Sequence, residues 1–155
     1  MALLNMPLKT MWSEVQEVRD RVQSLLVDLP EDVRAATVMT ASELIENAIK
    51  YGESVPAAPQ ASVVLRHEGG RIEIVVKNGV AAEETVRELM THVDRLANAP
   101  DRMALYIDRL RELMTSGGLG GSKLGLYRIG CEGQFDLRCD YSERVITMTA
   151  SRQVS

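Results

Sequence analysis

Residues Ala41–Gly52 read ASELIENAIKYG, and this stretch indicates both a fold and a candidate site. On a helix, Glu43, Asn47 and Lys50 are spaced i, i+4 and i+7 and therefore share one face. Leucine, isoleucine and alanine between them form a broad apolar surface beside that face. A carboxylate, an amide oxygen and an ammonium in one row can supply a general base, a Mg²⁺ ligand and a phosphate contact. The alternative is a solvated polar face without a chemical role.

The composition predicts one globular domain and disfavours two kinds of partner. The chain has 155 residues, of which 45 % are hydrophobic and 26 % charged, and this suits a single core. A formal net charge of -4 without a basic block argues against nucleic acid. No apolar run approaches the ~20 residues of a membrane span, and Met1–Met6 lacks the features of a signal peptide. We therefore expect a cytoplasmic protein, with Cys131 and Cys139 as buried thiols rather than a disulfide.

Hydrophobic periodicity predicts five helices and four strands. The helices are expected at about 8–27, 30–50, 82–97, 103–114 and 124–130, and the strands at about 61–67, 71–78, 134–141 and 144–150. Pro30 suits a helix start, and Gly52 is expected to end that helix. This order predicts an α/β (α+β) two-layer sandwich, in which an antiparallel-rich mixed sheet is covered on one face by helices.

The string ELIENAIKYG at Glu43–Gly52 resembles the N-box, the first nucleotide motif of the histidine-kinase-like ATPases. The preceding LPEDVR at Leu29–Arg34 is similar to the lead-in of anti-sigma-factor serine kinases of the partner-switching type. The resemblance covers roughly residues 10–150 and implies one domain, 1–155, with the histidine-kinase-like ATPase fold. It leaves little room for the extra N-terminal strand that is common in anti-sigma kinases.

The resemblance implies a role for each residue that matches a motif. Glu43 would be the general base for a substrate hydroxyl, Asn47 would hold Mg²⁺ on the phosphates of ATP, and Lys50 would contact a phosphate. The later glycine-rich segment is similar to the family's G-x-G-L-G-L motif, in which backbone N–H groups at a helix N-terminus surround phosphates. A lysine replaces the middle glycine of that motif here. The residues implied in phosphate binding are Gly121, Ser122, Lys123 and Gly125.

The family's adenine motif, D-x-G-x-G at a strand end, is altered in this chain. Residues 77–81 read KNGVA, so that Lys77 stands where the aspartate would contact adenine. Lysine cannot accept a hydrogen bond from the adenine amino group. Asn78 carries an acceptor but is one residue out of register, which on a strand reverses the face. Asn78 and Gly79 are therefore the candidate cofactor contacts in this segment.

Residues at about 82–116 occupy the place of the family's nucleotide lid and are predicted to form two helices. This helical insert, together with Asn78, resembles the SiaB-type kinases of bacterial biofilm signalling. Amphipathic helices of this kind bury their apolar stripes either against a second chain or on their own core. A homodimer through the insert and packing within one chain are both compatible with the sequence.

Three functions are compatible with these motifs. The first is a bacterial signalling regulator of the anti-sigma, partner-switching type, which uses Mg-ATP to phosphorylate a protein partner on Ser or Thr. Its partner would be an anti-anti-sigma-like protein or a sigma factor. The second is a pseudo-kinase, a binding or dimerisation module without ATP, which the altered adenine and phosphate motifs favour. The third, an ATP-hydrolysing subunit of the gyrase or chaperone type, is disfavoured because no second domain couples hydrolysis to motion.

Overall fold

The chain forms five strands and five helices in the residues that the computed structural model describes, which are 2–8, 12–116 and 124–154. Helix α2 begins after Pro30, with Glu31 and Asp32 in its first turn, where negative charge is favourable. The elements in chain order are β1 (Ala2–Leu8), α1 (Ser13–Leu25), α2 (Glu31–Tyr51), β2 (Ala61–Glu68), β3 (Arg71–Gly79), α3 (Glu83–Asn98), α4 (Arg102–Ser116), α5 (Leu124–Cys131), β4 (Asp136–Ser142) and β5 (Val145–Gln153).

The described strands make one sheet in the order β1-β2-β3-β5-β4. Alternate residues of β3, Ile72, Ile74 and Val76, are buried on the face that the helices cover, whereas Lys77 is exposed on the other face. This arrangement confirms an α+β fold that fits a two-layer sandwich. The prediction of a mixed sheet is wrong for these strands, because all four neighbouring pairs are antiparallel. The hairpins β2–β3 and β4–β5 join through an antiparallel β3–β5 pair.

Strand β1 corrects the expectation that the N-terminus has little room for a strand. It pairs antiparallel with β2, with Leu4 opposite Leu65 and Leu8 opposite Ala61. Leu4 and Leu8 are buried, and helix α1 begins only at Ser13. Pro7 is tolerated because β1 is an edge strand, where one missing N–H donor breaks no inner ladder. The adjacent leucines at positions 3 and 4 obscure the two-residue alternation in the sequence.

The helical insert is α3 followed by α4, and the two helices use their apolar residues differently. The stripe of α3 is buried within the chain's own core, as Val86, Leu89, Val93 and Leu96 show. On α4, Leu113 is buried, whereas Met103, Ile107 and Met114 are exposed. The α3 stripe is therefore not available to a second chain. None of the helices in the described ranges is long and apolar enough to cross a membrane.

Candidate functional site

The three polar residues of α2 lie along one face, and their exposure increases toward the end of the helix. The Glu43 side chain is 18 % exposed, Asn47 is half-buried and Lys50 is exposed. The Lys50 ammonium lies 5.3 Å from the centre of the Tyr51 ring. The helical spacing predicted this common face, but the buried setting of Glu43 depends on a neighbouring helix.

Glu43 is tied to α5 by an ion pair that joins two distant parts of the chain. Arg128 Nη1 donates to Glu43 Oε1 at 2.9 Å, and Arg128 Nε donates to Glu132 Oε2 at 3.3 Å. Tyr106 of α4 donates its hydroxyl to the other oxygen of Glu132 at 3.4 Å. These four residues, the Glu43–Arg128 cluster, link α2, α5 and α4. One carboxylate oxygen of the predicted general base is thus already occupied.

Burial raises the pKa of the Glu43 carboxyl, and the nearby Glu46 raises it further. The Arg128 guanidinium lowers the same pKa without cancelling the increase. A raised pKa in the folded state means that folding favours the protonated acid. The stability that Glu43 contributes is therefore fully present below its unfolded pKa. It is lost as the pH rises through the folded pKa.

We predict that Arg128→Gln raises the Glu43 pKa further, because the substitution removes the positive charge that stabilises the carboxylate. NMR titration of the Glu43 side-chain carboxyl carbon measures this shift. Arg138→Gln is the matched control, since Arg138 pairs with Asp140 on an exposed part of β4. An unchanged or lowered Glu43 pKa in Arg128→Gln would contradict the assigned ion pair.

The first turn of helix α5 packs directly against Glu43, and Gly125 lies at this contact. A Cβ on Gly125 would overlap Glu43 Oε2, so any other residue at this position would displace the Glu43 carboxylate. Of the four residues implied in phosphate binding, the structure describes Gly125. The other three, Gly121, Ser122 and Lys123, lie outside the described residues.

The Asn47 side chain carries a buried nitrogen without a hydrogen-bond partner among the described residues. Nearly all buried polar atoms in folded proteins have a partner, so such an atom marks a place where a ligand or water is expected. The oxygen and nitrogen of a side-chain amide can exchange positions by a flip. Asn47 can therefore present either a donor or an acceptor there.

The end of β3 places Asn78, and not Lys77, on the helix-facing side of the sheet. Asn78 is 5 % exposed, and its Nδ2 donates to the Gly79 carbonyl oxygen at 3.2 Å. Lys77 is exposed and pairs with Thr147 on the outer side of the sheet. Neighbouring residues of a strand face opposite sides of the sheet, so Lys77 points to solvent when Asn78 points to the helices. Lys77 therefore does not obstruct the space between the sheet and the helices.

Gly79 is held by the segment that follows α2. Glu53 donates its N–H to the Gly79 carbonyl oxygen at 2.7 Å, forming an isolated bridge. A Cβ on Gly79 would overlap the Glu53 carbonyl oxygen and would crowd the methyl groups of Val55. Close approach of the 53–55 backbone therefore requires glycine here, whether or not a cofactor binds.

A cavity of about 500 Å³ opens at the C-terminal end of α2. We call it the α2-end cavity. Of the site residues that the sequence predicted, it includes Asn78 and none of Glu43, Asn47 or Lys50. The sequence signals that could have located it are Gly52 at the helix end and the polar loop before β2. Its lining residues are Leu8, Ala48, Ile49, Gly52, Glu53, Ser54, Pro59, Gln60, Ala61 and Asn78.

A second polar cluster ties the helical insert to α5. His92 Nδ1 lies 2.5 Å from the hydroxyl of Tyr127, whose side chain is fully buried. The guanidinium carbons of Arg95 and Arg109 lie 5.7 and 5.8 Å from the centre of the Tyr127 ring. Glu112 accepts a hydrogen bond from both arginines, at 3.1 and 3.0 Å. The contact with Tyr127 gives His92 a structural role.

The two cysteines are free and half-buried. Burial raises the pKa of Cys139 to about 12, so its thiol stays protonated at neutral pH. Within the described ranges, no group of three or more His, Cys, Asp and Glu side chains could hold a metal ion directly.

The sequence matches no protein-family model and no curated protein. The likeness to histidine-kinase-like ATPases therefore rests on the quoted motifs alone. A function for the chain therefore has to be argued from the site itself.

Proposed function

We propose that this chain is a bacterial signalling regulator of the anti-sigma, partner-switching type, which binds a protein partner and phosphorylates it on Ser or Thr with Mg-ATP. The observation that carries the proposal is the convergence of three separate motif segments on α2. Gly125 of the glycine-rich motif lies against Glu43, and Asn78 of the adenine motif lines a cavity with Gly52 at the helix end. Two motif segments that are far apart in sequence thus lie beside α2, and this proximity supports the proposal.

The residues around α2 fit Mg-ATP in part. Asn47 offers a buried amide that lacks a partner among the described residues, and its oxygen would bind Mg²⁺ held on the phosphates. Asn78 offers an acceptor on the helix-facing side of the sheet in place of the family's aspartate. Bound Mg²⁺ would supply neutralisation of phosphate charge, which is the main requirement of phosphoryl transfer.

The second candidate function is a pseudo-kinase module that docks a partner without ATP. The Glu43–Arg128 ion pair favours this function, because a general base must reach the substrate hydroxyl and one Glu43 oxygen is bound to Arg128. In such a module the Glu43–Arg128 cluster has a structural role, in which it holds α5 on α2. The exposed Met103, Ile107 and Met114 of α4 would then contribute apolar area to a docking surface.

Calorimetric titration with Mg-ATP separates the two functions. We expect saturable binding to the wild-type protein and no detectable binding to Asn47→Ala, because the substitution removes the proposed Mg²⁺ ligand. Asn98→Ala is the matched control, since Asn98 is an exposed amide on α3 whose Nδ2 donates to the Asp94 carbonyl oxygen of the same helix.

The outcomes of this titration are distinct. Unchanged affinity in Asn47→Ala would remove Asn47 from the metal site. No binding of Mg-ATP to the wild-type protein at millimolar nucleotide would reject the kinase and leave the docking module.

A further inference from the structure

The α2-end cavity is separate from the row formed by Glu43, Asn47 and Lys50. Its volume of about 500 Å³ lies within the range of small-molecule pockets. The wall contributed by α2 consists of Ala48, Ile49 and Gly52. On a helix these positions point away from the face that carries Glu43 and Asn47. A ligand in this cavity would therefore not contact the proposed catalytic face.

Asn78 is the buried polar group of the cavity. It is 5 % exposed, and its Nδ2 is used by the hydrogen bond to the Gly79 carbonyl oxygen. No donor to its Oδ1 is found in the part of the chain that the structure describes. An amide oxygen that lines a cavity accepts a hydrogen bond from a ligand that supplies an N–H group, so such a ligand would be bound by this residue.

The charge of the lining disfavours anions. Among the described residues that line the cavity, Glu53 is the one charged side chain, and its Oε1 accepts a hydrogen bond from the N–H of Ala81 at 3.2 Å. The cavity also lies at the C-terminal end of α2, a helix of 21 residues, where carbonyl groups give a partial negative charge. A cation gains from both groups, whereas a phosphate or carboxylate would be repelled.

Backbone hydrogen bonds hold the loop that contributes Glu53, Ser54, Pro59 and Gln60 to the cavity. The Glu53 N–H contacts Gly79, and Val55 and Ala58 bond each other in both directions at 3.2 and 3.0 Å. Val55 and Ala58 are themselves buried. A pocket fixed in this way loses little freedom when a ligand enters, which favours binding.

We propose that the α2-end cavity binds a small organic amine. The ammonium group would donate to Asn78 Oδ1 and lie near the Glu53 carboxylate, and an apolar body would contact Leu8, Ile49 and Pro59. This site goes beyond the kinase or docking function. Asn78 is shared with the adenine contact proposed above, so an amine and ATP would compete for its Oδ1, whereas Glu43 and Asn47 do not line the cavity.

Phenethylamine is a suitable probe, with phenethyl alcohol and 3-phenylpropionate as neutral and anionic counterparts of similar shape. In ¹H–¹⁵N NMR titrations we expect saturable shifts of the Gly52, Glu53 and Gly79 amides with the amine. The alcohol is expected to bind about tenfold more weakly, because it lacks the charge-assisted hydrogen bonds. The carboxylate is expected to give no saturable shifts. Binding of the alcohol or the carboxylate as tightly as the amine would overturn the proposal, as would absence of amine binding.

Two variants test the named groups. Asn78→Leu is expected to weaken phenethylamine binding by about tenfold. Glu53→Gln keeps an exposed side chain of similar size, so it tests the charge even if Asn78→Leu does not fold, and it is expected to weaken binding several-fold. Glu84→Gln, which removes an exposed carboxylate at the start of α3, is the matched control and should leave the affinity unchanged. Equal affinities of the Glu53 and Glu84 variants would overturn the electrostatic part of the proposal.

Discussion

Gly79→Ala is expected to lower the free energy of unfolding by about 2–3 kcal/mol, as overpacking of a well-packed site does. The added methyl group would overlap the main-chain oxygen of Glu53 and lie among the methyl groups of Val55. Neither neighbour can move freely, because Glu53 is bonded to Gly79 and Val55 is buried. Chemical denaturation followed by circular dichroism measures the change.

Gly130→Ala is the matched control for this substitution. A Cβ on Gly130 would meet Leu96 Cδ2 at 2.9 Å, which is the flexible end of a side chain. Gly130 also lies within α5, where alanine is the better helix former. We expect the effect of Gly130→Ala on the free energy of unfolding to stay within about 1 kcal/mol.

Wild-type stability of Gly79→Ala would show that the 53–55 backbone does not restrict this position. Loss of ligand binding in a destabilised Gly79 variant would not by itself demonstrate a nucleotide motif.

Gly125→Ala is expected to destabilise the protein by about 1–2 kcal/mol, and this loss of stability should disappear when Glu43 is also replaced. In the wild-type protein the new methyl group would overlap the Glu43 carboxylate, which then has to move and weaken its bond to Arg128. In a Glu43→Ala background the space is free, and alanine is the better helix former. Gly125→Ala should then be neutral or slightly stabilising.

A double-mutant cycle measures this coupling between positions 43 and 125. We expect a coupling energy of at least about 1 kcal/mol, as for other residues in direct contact. The same cycle with Glu132→Ala is the control, since Glu132 belongs to the Glu43–Arg128 cluster but is not among the atoms nearest a Gly125 Cβ. Additive effects at positions 43 and 125 would contradict the close packing of α5 on α2.

Local sequence patterns were sufficient for most of the secondary structure. Helix α2 and strand β3 end within one residue of their predicted limits, because a proline, a glycine or a glycine pair bounds them and their apolar residues repeat at a clear period. Strand β1 was missed because the adjacent leucines at positions 3 and 4 interrupt its two-residue alternation. Its place in the sheet depends on pairing with β2, which is 53 or more residues further along the chain.

One part of the candidate site could be predicted from local spacing, and the other part depends on contacts between residues far apart in the sequence. The shared face of Glu43, Asn47 and Lys50 follows from helical spacing alone, so the sequence was enough to predict it. The ion pair of Glu43 with Arg128 joins residues that are 85 positions apart, and no local pattern encodes it. The same is true of the contact between Gly125 and Glu43.

The sequence by itself determined the helices, the two hairpins and the row of polar residues on α2, because spacing between near neighbours controls each of them. Only the tertiary structure decided that Asn78 faces the helices while Lys77 faces solvent, and that a cavity opens beside Gly52. Both depend on how the end of α2 packs on the sheet. Burial, pKa and cavity shape arise from atoms contributed by many elements at once, so they appear only when the chain has folded.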